Sequence, residues 1–181
     1  FTGEGALLYP GRWHHGGTAV VYCSESRALA ALEQLVHLHR NSLPPNFVCF
    51  GVDLPEDLDI REVQTPELPT EWRLQPGPQE LRDIGTQWAE RGETAVLRVP
   101  SAVVPREHNF LLNPRHPDFS RLTIGDPEPF ELDVRPLRSG WRGEARSTAT
   151  SRPPRLHEEP EPVRRGTERR HSLDHPCQHV G

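Results

Sequence analysis

The sequence predicts an α+β domain over residues 1–138, followed by an unfolded tail over 139–181. Three observations lead there. Short apolar runs with strand periodicity are interspersed with two longer runs of helical periodicity. Their order is strand, helix, strand, a long loop, helix and then several strands, as in a mixed α+β domain. After Leu137 neither period continues, and the remaining residues are mostly Arg, Glu, Pro, Ser and Thr. Such a composition buries too little apolar surface to fold. No internal repeat occurs.

The first predicted strand is Thr18–Ser24. Both of its alternation sets (Val20 and Tyr22; Ala19, Val21 and Cys23) are apolar, so it is expected to be covered on both faces. Ser24 or Ser26 can cap the helix that follows, with Glu25 and Arg27 in its first turn. Ala28, Leu29, Leu32, Leu35 and Val36 make one apolar stripe on that helix, which should end before Asn41 and the Pro44-Pro45 pair. A second strand is expected over Phe47–Leu54, with Phe47, Cys49 and Gly51 alternating with Val48, Phe50 and Val52. Residues 55–77 are proline-rich and acidic, and predict an irregular connection with one short helical turn. Pro78 to Arg91 predicts a second helix with Leu81, Ile84 and Trp88 on one face, stopped by Gly92. Strand-like runs follow at Thr94–Val99, His108–Leu112 and Phe130–Val134, with another near Leu122–Ile124.

At 181 residues the chain is long enough for one domain with a substantial core, and its hydrophobic fraction of 34% is low for a fully folded chain. The net charge of −5 conceals an asymmetry: residues 1–138 carry 13 Arg against 20 Asp and Glu, while 139–181 carry 8 against 6. An acidic body argues against nucleic acid as a direct ligand, because phosphate backbones need a basic face. The tail's arginines are interleaved with Glu and His and read as solvated. Every basic residue is Arg, which excludes a lysine Schiff base or lysine general base. Methionine is absent even at position 1, so the chain is read as starting inside something longer. No apolar run reaches the ~18–20 residues of a membrane span, and no signal peptide is recognisable. Three cysteines without CxxC spacing, two of them in apolar strand runs, predict buried free thiols and a cytoplasmic, reduced protein.

The candidate chemistry lies mainly in Gly11–Glu33. Arg12, in a glycine-bounded turn, offers a rigid fork for two phosphate oxygens. Read alone, the tripeptide Gly11-Arg12-Trp13 favours a surface arginine with Trp13 as core anchor. Tyr22 could stack on a flat heterocycle or bond a ribose, or be a core tyrosine with a satisfied hydroxyl. Glu33 borders Leu29 and Val36 on the helical wheel, where an unpaired carboxylate is costly. It is either paired structurally, with a group such as Arg12, or reserved for a cationic transition state. Ser101 ends a strand and could simply make a turn hydrogen bond; no GxSxG surrounds it, which argues against an activated nucleophile. Ten histidines include His14-His15 in a turn and His37 and His39 on different helix faces, but no HExxH or zinc spacing occurs, so no metal is expected. No phosphate loop GxxxxGK[ST] is present.

Taken together, GEGALLYPGRWHHGGTAVVYCSESRALAALEQLVHL at 3–38, SAVVPREHNFLLNPRHPDF at 101–119 and FELDVRPL at 130–137 resemble the RES domain, named for its arginine, glutamate and serine. The resemblance covers nearly the whole region expected to fold. It places the family's Arg at Arg12, Tyr at Tyr22, Glu at Glu33 and Ser at Ser101, with Asn113 in LLNP as a further pocket residue. His14 stands where the family's GRWN has asparagine. Members begin earlier, with a strand carrying another pocket arginine, so an N-terminal truncation is expected.

The resemblance implies a fold like that of ADP-ribosyltransferases, with mixed sheets and flanking helices. It also implies a bacterial toxin that consumes NAD by cleaving the nicotinamide–ribose bond, as a glycohydrolase or a phosphorylase. NAD is then substrate rather than cofactor, and inorganic phosphate a co-substrate of phosphorolysis. The implied partner is a helix-turn-helix antitoxin whose C-terminal end plugs the pocket; a homo-oligomer is compatible. Glu33 would stabilise the oxocarbenium-like state and orient a ribose hydroxyl. Arg12 would hold the pyrophosphate and Tyr22 stack on a ring. Ser101 would position the substrate or the attacking water or phosphate. The competing expectations are a degenerate, non-catalytic module that only binds a partner, and an ADP-ribosyltransferase acting on a protein.

Overall fold

The computed structural model describes residues 1–37, 47–131 and 172–175. The chain opens with a short helix α1 (Glu4–Leu8), followed by β1 (Val21–Ser24), α2 (Arg27–His37), β2 (Phe47–Asp53) and β3 (Ile60–Glu62). Then come α3 (Gln79–Arg91), β4 (Val96–Pro100), β5 (His108–Leu112), β6 (Thr123–Ile124), β7 (Glu128–Phe130) and β8 (Ser172–His175). The fold is α+β, as expected. One sheet has the order β1-β5-β4-β3; the second has β6-β2-β7, with β8 also on β2. Every pairing is antiparallel except β3 with β4.

Period-two alternation divides the first sheet between two cores. Val21 and Cys23 lie opposite Leu112 and Phe110, and Val96 faces Leu112 from the other side. Together with Val52 of β2, Leu58 and Leu122 these side chains form one core. The alternate set, Leu97, Val99 and Leu111, packs with Val20, Trp13 and the α3 residues Leu81 and Trp88 in the other. The doubly apolar pattern of the first predicted strand thus reflects a sheet buried on both faces. Each fully buried Leu or Val contributes roughly 1.5–3 kcal/mol. The Trp88 indole keeps its polar end satisfied by donating to Thr94 Oγ1 at 2.9 Å.

Helix α3 starts after Pro78 and stops at Gly92, whose φ of 59° is left-handed and whose N–H returns to the Trp88 carbonyl at 3.1 Å. Its closest approach is at Gly85, where a β-carbon would lie 1.8 Å from the Trp13 carbonyl oxygen. Around that glycine the helix grips residues 11–15. Arg82 donates to the Gly11 carbonyl, Thr86 Oγ1 accepts the His15 N–H at 2.9 Å, and Asp83 meets the His15 ring at 2.7 Å.

Several elements differ from expectation. The α2 stripe is corrected: Leu29 and Ala30 are buried, but Leu32 is 42% and Val36 59% exposed, and Ala28 is exposed. Glu33 is bonded to the first sheet, which turns the Leu29–Glu33 line inward and the Leu32–Val36 line out. Helix α1 and strand β3 were not predicted; neither buries an apolar side chain, so neither shows a period. The helical turn expected in 55–77 is a 3-10 turn at Thr65–Glu67. The predicted end of α2 near Asn41, residues 132–134 of the last strand and most of the tail (139–171 and 176–181) lie outside the described residues. Within the tail, Ser172–His175 pairs with Phe50–Asp53 of β2 as a strand. Cys23 and Cys49 are buried, and neither is in a disulfide. Among the described residues no helix is long and apolar enough to cross a membrane.

A Gly85→Ala substitution is expected to cost about 3 kcal/mol or more, because the added methyl must push α3 off the Trp13 backbone. Denaturant unfolding measures this, and an unchanged midpoint would contradict the close approach.

Candidate active site

Four polar side chains meet at one end of the first sheet. Ser24 and Asn109 are cross-strand partners, and Asn109 pairs with Val99 on the other side, two residues before Ser101. Period-two geometry therefore brings Ser24, Asn109 and Ser101 to one face. Helix α2 supplies the fourth. Ser26 caps it by accepting the Leu29 N–H at 3.1 Å, and two turns later Glu33 reaches this face. Glu33 Oε1 accepts from Ser101 Oγ at 2.8 Å and from Asn109 Nδ2 at 2.6 Å. Asn109 Oδ1 in turn accepts from Ser24 Oγ at 2.7 Å.

The turn hydrogen bond expected of a strand-end serine is also present. Ser101 Oγ accepts from the Val103 and Val104 N–H groups at 3.1 and 3.0 Å. Its single proton goes to Glu33, so the hydroxyl anchors the carboxylate.

Arg12 is held by the loop at residues 72–75. Its Nη1 donates to the carbonyls of Trp72 (2.8 Å) and Leu74 (3.0 Å), and Nη2 donates to Gln75 Oε1 (2.8 Å). Burial lowers the guanidinium pKa, while the charges of Glu33 and Tyr22 oppose that shift; an arginine nevertheless stays cationic in a protein. Arg12 and Glu33 thus interact through space without forming an ion pair within 4 Å. Gly77 lies against Arg12: a β-carbon there would come within 2.8 Å of Nη1, and the guanidinium would have to shift to admit it.

Tyr22 connects β1 to the N-terminal segment. Its hydroxyl accepts the Trp13 N–H at 3.2 Å and meets His14 Nδ1 at 2.8 Å. His14 Nε2 faces two carbonyls, Ala6 at 3.2 Å and Tyr9 at 3.1 Å. Carbonyls only accept, so we assign the ring proton to Nε2, and Tyr22 donates to Nδ1. Burial pushes the His14 pKa below 6.5, with His15 and Arg82 adding to the effect. Burial likewise pushes the Tyr22 phenol above its ordinary range. The Tyr22 ring is half-buried.

The loop that holds Arg12 is tied to the loop after Ser101. Arg73 Nε and Nη2 both donate to the Ala102 carbonyl, at 3.1 and 3.0 Å. Asn113 is elsewhere: it lies four residues beyond Asn109, about 13 Å along an extended strand. There it donates to the Ala89 carbonyl and accepts the Arg115 N–H, holding the end of α3. The structure therefore gathers Glu33 and Ser101, with Arg12 and Tyr22 within electrostatic range, and gives Asn113 structural partners. Sequence reasoning missed Asn109 and Ser24. The available signal was Asn109 in the same alternation set as the apolar Leu111. Among the described residues no group of three or more His, Cys, Asp or Glu is placed to hold a metal ion.

With this geometry in place, the chain can be compared with known proteins. A family model of the RES domain matches residues 1–133. The chain belongs to the RES domain family. This RES domain is similar to "Toxin Res" of Yersinia enterocolitica, 43% identical over 136 residues that cover 75% of this chain and 89% of the relative. It is 40% identical over 139 residues to the "Prs ADP-ribosylating toxin" of a Sphingobium species, covering 76% of this chain and 86% of that protein. A second "Toxin Res", from Photorhabdus laumondii, is 40% identical over 122 residues, 67% of this chain and 77% of the relative.

The His14 network gives this RES domain a pH-dependent stability. Because the folded state holds the ring neutral, the unfolded state binds more protons below about pH 6.5, and stability is lost as pH falls from there. Denaturant unfolding at pH 7 and pH 5 should show a smaller loss in His14→Asn than in the parent. Equal losses would contradict the assignment.

Proposed function

We propose that this RES domain is an NAD-consuming toxin that cleaves the nicotinamide–ribose bond. The observation that carries the reading is a carboxylate fixed by one oxygen to two buried donors, across from a cationic Arg12. Cleavage passes through an oxocarbenium-like state at the ribose C1′, which a fixed carboxylate stabilises more than it stabilises the ground state. The C1′–N bond breaks, its electron pair goes to the pyridinium nitrogen, and nicotinamide leaves neutral, so no strong general acid is required. Water or inorganic phosphate then forms the new C1′–O bond and one proton is released, giving the glycohydrolase or the phosphorylase reaction.

Arg12 supplies positive charge for the pyrophosphate. Its Nη1 is occupied by two carbonyls and its Nη2 bonds Gln75, which leaves Nε–H and the second Nη2 proton for phosphate oxygens, each charge-assisted bond contributing roughly 1.5–3 kcal/mol. The Tyr22 hydroxyl is engaged by the Trp13 N–H and His14, so the ring's part is to stack. Ser101 acts through Glu33 as an anchor of the carboxylate, and we assign it no nucleophilic role. A cytoplasmic site of action, where NAD and reduced thiols coexist, and neutralisation by a helix-turn-helix antitoxin belong to the same reading. Asn113 supports the fold beneath the pocket. A second reading, transfer of ADP-ribose to a protein, is favoured by the relative named as an ADP-ribosylating toxin.

Incubation of the purified chain with NAD should release nicotinamide. Release independent of phosphate means hydrolysis, release requiring phosphate means phosphorolysis, and label on a macromolecule from tagged NAD means transfer. Glu33→Gln is expected to lower kcat about 10²–10³-fold, the scale for losing one charge-stabilising group. No release above that of the variant would mean a non-catalytic module.

A further inference from the structure

We propose that Asn109 is a positioning residue that, together with Ser101, anchors Glu33 Oε1 and thereby presents Oε2 to the substrate. Both donors end on the same oxygen, Ser101 Oγ at 2.8 Å and Asn109 Nδ2 at 2.6 Å. Among the described residues no hydrogen bond or ion pair reaches Oε2. The carboxylate is thus divided into a held oxygen and an open one.

The Asn109 amide has a defined direction. Ser24 Oγ lies 2.7 Å from Oδ1 and must donate there, which turns the NH₂ group toward Glu33. The flipped amide would set its oxygen against the carboxylate and waste the serine proton. Direction therefore runs from Ser24 through Asn109 to Glu33, and from Ser101 to the same atom.

Three of these groups are deeply buried: Ser24 is 4%, Asn109 9% and Ser101 2% exposed. In such surroundings hydrogen bonds strengthen, and an amide left without its partners is costly. Glu33 itself sits on a helix and reaches the sheet through a flexible side chain. Without a fixed contact on the strand its carboxylate would sample several rotamers. Ser24 and Asn109 are partners in one antiparallel ladder, so they fix the carboxylate to the most rigid element nearby. Reacting groups misplaced by about 1 Å can lose 10²-fold in rate.

The turnover part of the test rests on the NAD reading; the structural part does not. Asn109→Ala is expected to lower kcat about 10–100-fold with KM within about twofold. In a Glu33→Gln background the same change should add little, because its effect passes through the carboxylate. Additive losses overturn the proposal. Ser24→Ala, a gentler change that spares the amide, should lower kcat less, and Ser24→Thr should restore it. It keeps the question open to refutation if Asn109→Ala does not fold. In crystal structures, the Glu33 carboxylate should occupy one conformer in the parent and several in Asn109→Ala or Ser24→Ala. An unchanged conformer overturns the proposal whether or not NAD is consumed. A parent inert toward NAD whose Glu33 becomes mobile in the variants supports it, and overturns the functional reading alone.

Discussion

The close passage of α3 over the Trp13 backbone is the constraint from which the rest of the site follows. It requires a residue without a side chain at Gly85, where any β-carbon would lie 1.8 Å from the Trp13 oxygen. Once the helix is that near, Arg82, Asp83 and Thr86 can bind the turn at Gly11 and His15. The turn then sends three consecutive side chains in three directions. Arg12 goes to the carbonyls at 72 and 74, Trp13 into the core, and His14 to Tyr22. A helix set even a methyl's width farther out would lose these contacts together. That dependence makes the packing of an amphipathic helix a condition for the placement of a charged group.

Much of the fold was legible because the pertinent signals are local. The helices after Ser26 and Pro78 and the main strands declare themselves by period, and β5 matches its predicted bounds, His108–Leu112. What escaped is non-local. The three residues of β3 gain their strand character from pairing with β4, and α1 has no fully buried residue, only Ala6 packed partly against the core. The α2 stripe was misassigned because five apolar positions cannot reveal that a carboxylate, fixed to the opposite strands, decides which of them turn inward. Ser24 and Asn109 are 85 positions apart in sequence, and only the β1–β5 register makes them neighbours.

The candidate site also shows why structural and functional readings of one residue need not compete. Ser101 makes the ordinary turn bond with its lone pairs and gives its proton to Glu33. Tyr22 commits its hydroxyl to the fold and leaves a half-buried ring. Arg12 uses both terminal nitrogens to hold a loop, while among the described residues no hydrogen bond involves its Nε. Different atoms of the same side chain serve the two ends. Sequence patterns identify residues, and the division of labour appears only at the level of lone pairs and protons.

The bond from Arg73 to the Ala102 carbonyl joins the loop that holds Arg12 to the loop that starts at Ser101. The two loops are therefore joined through one main-chain oxygen. A substitution that removes the Arg73 side chain would untie residues 72–75, which hold Arg12, from the turn in which Ser101 anchors Glu33.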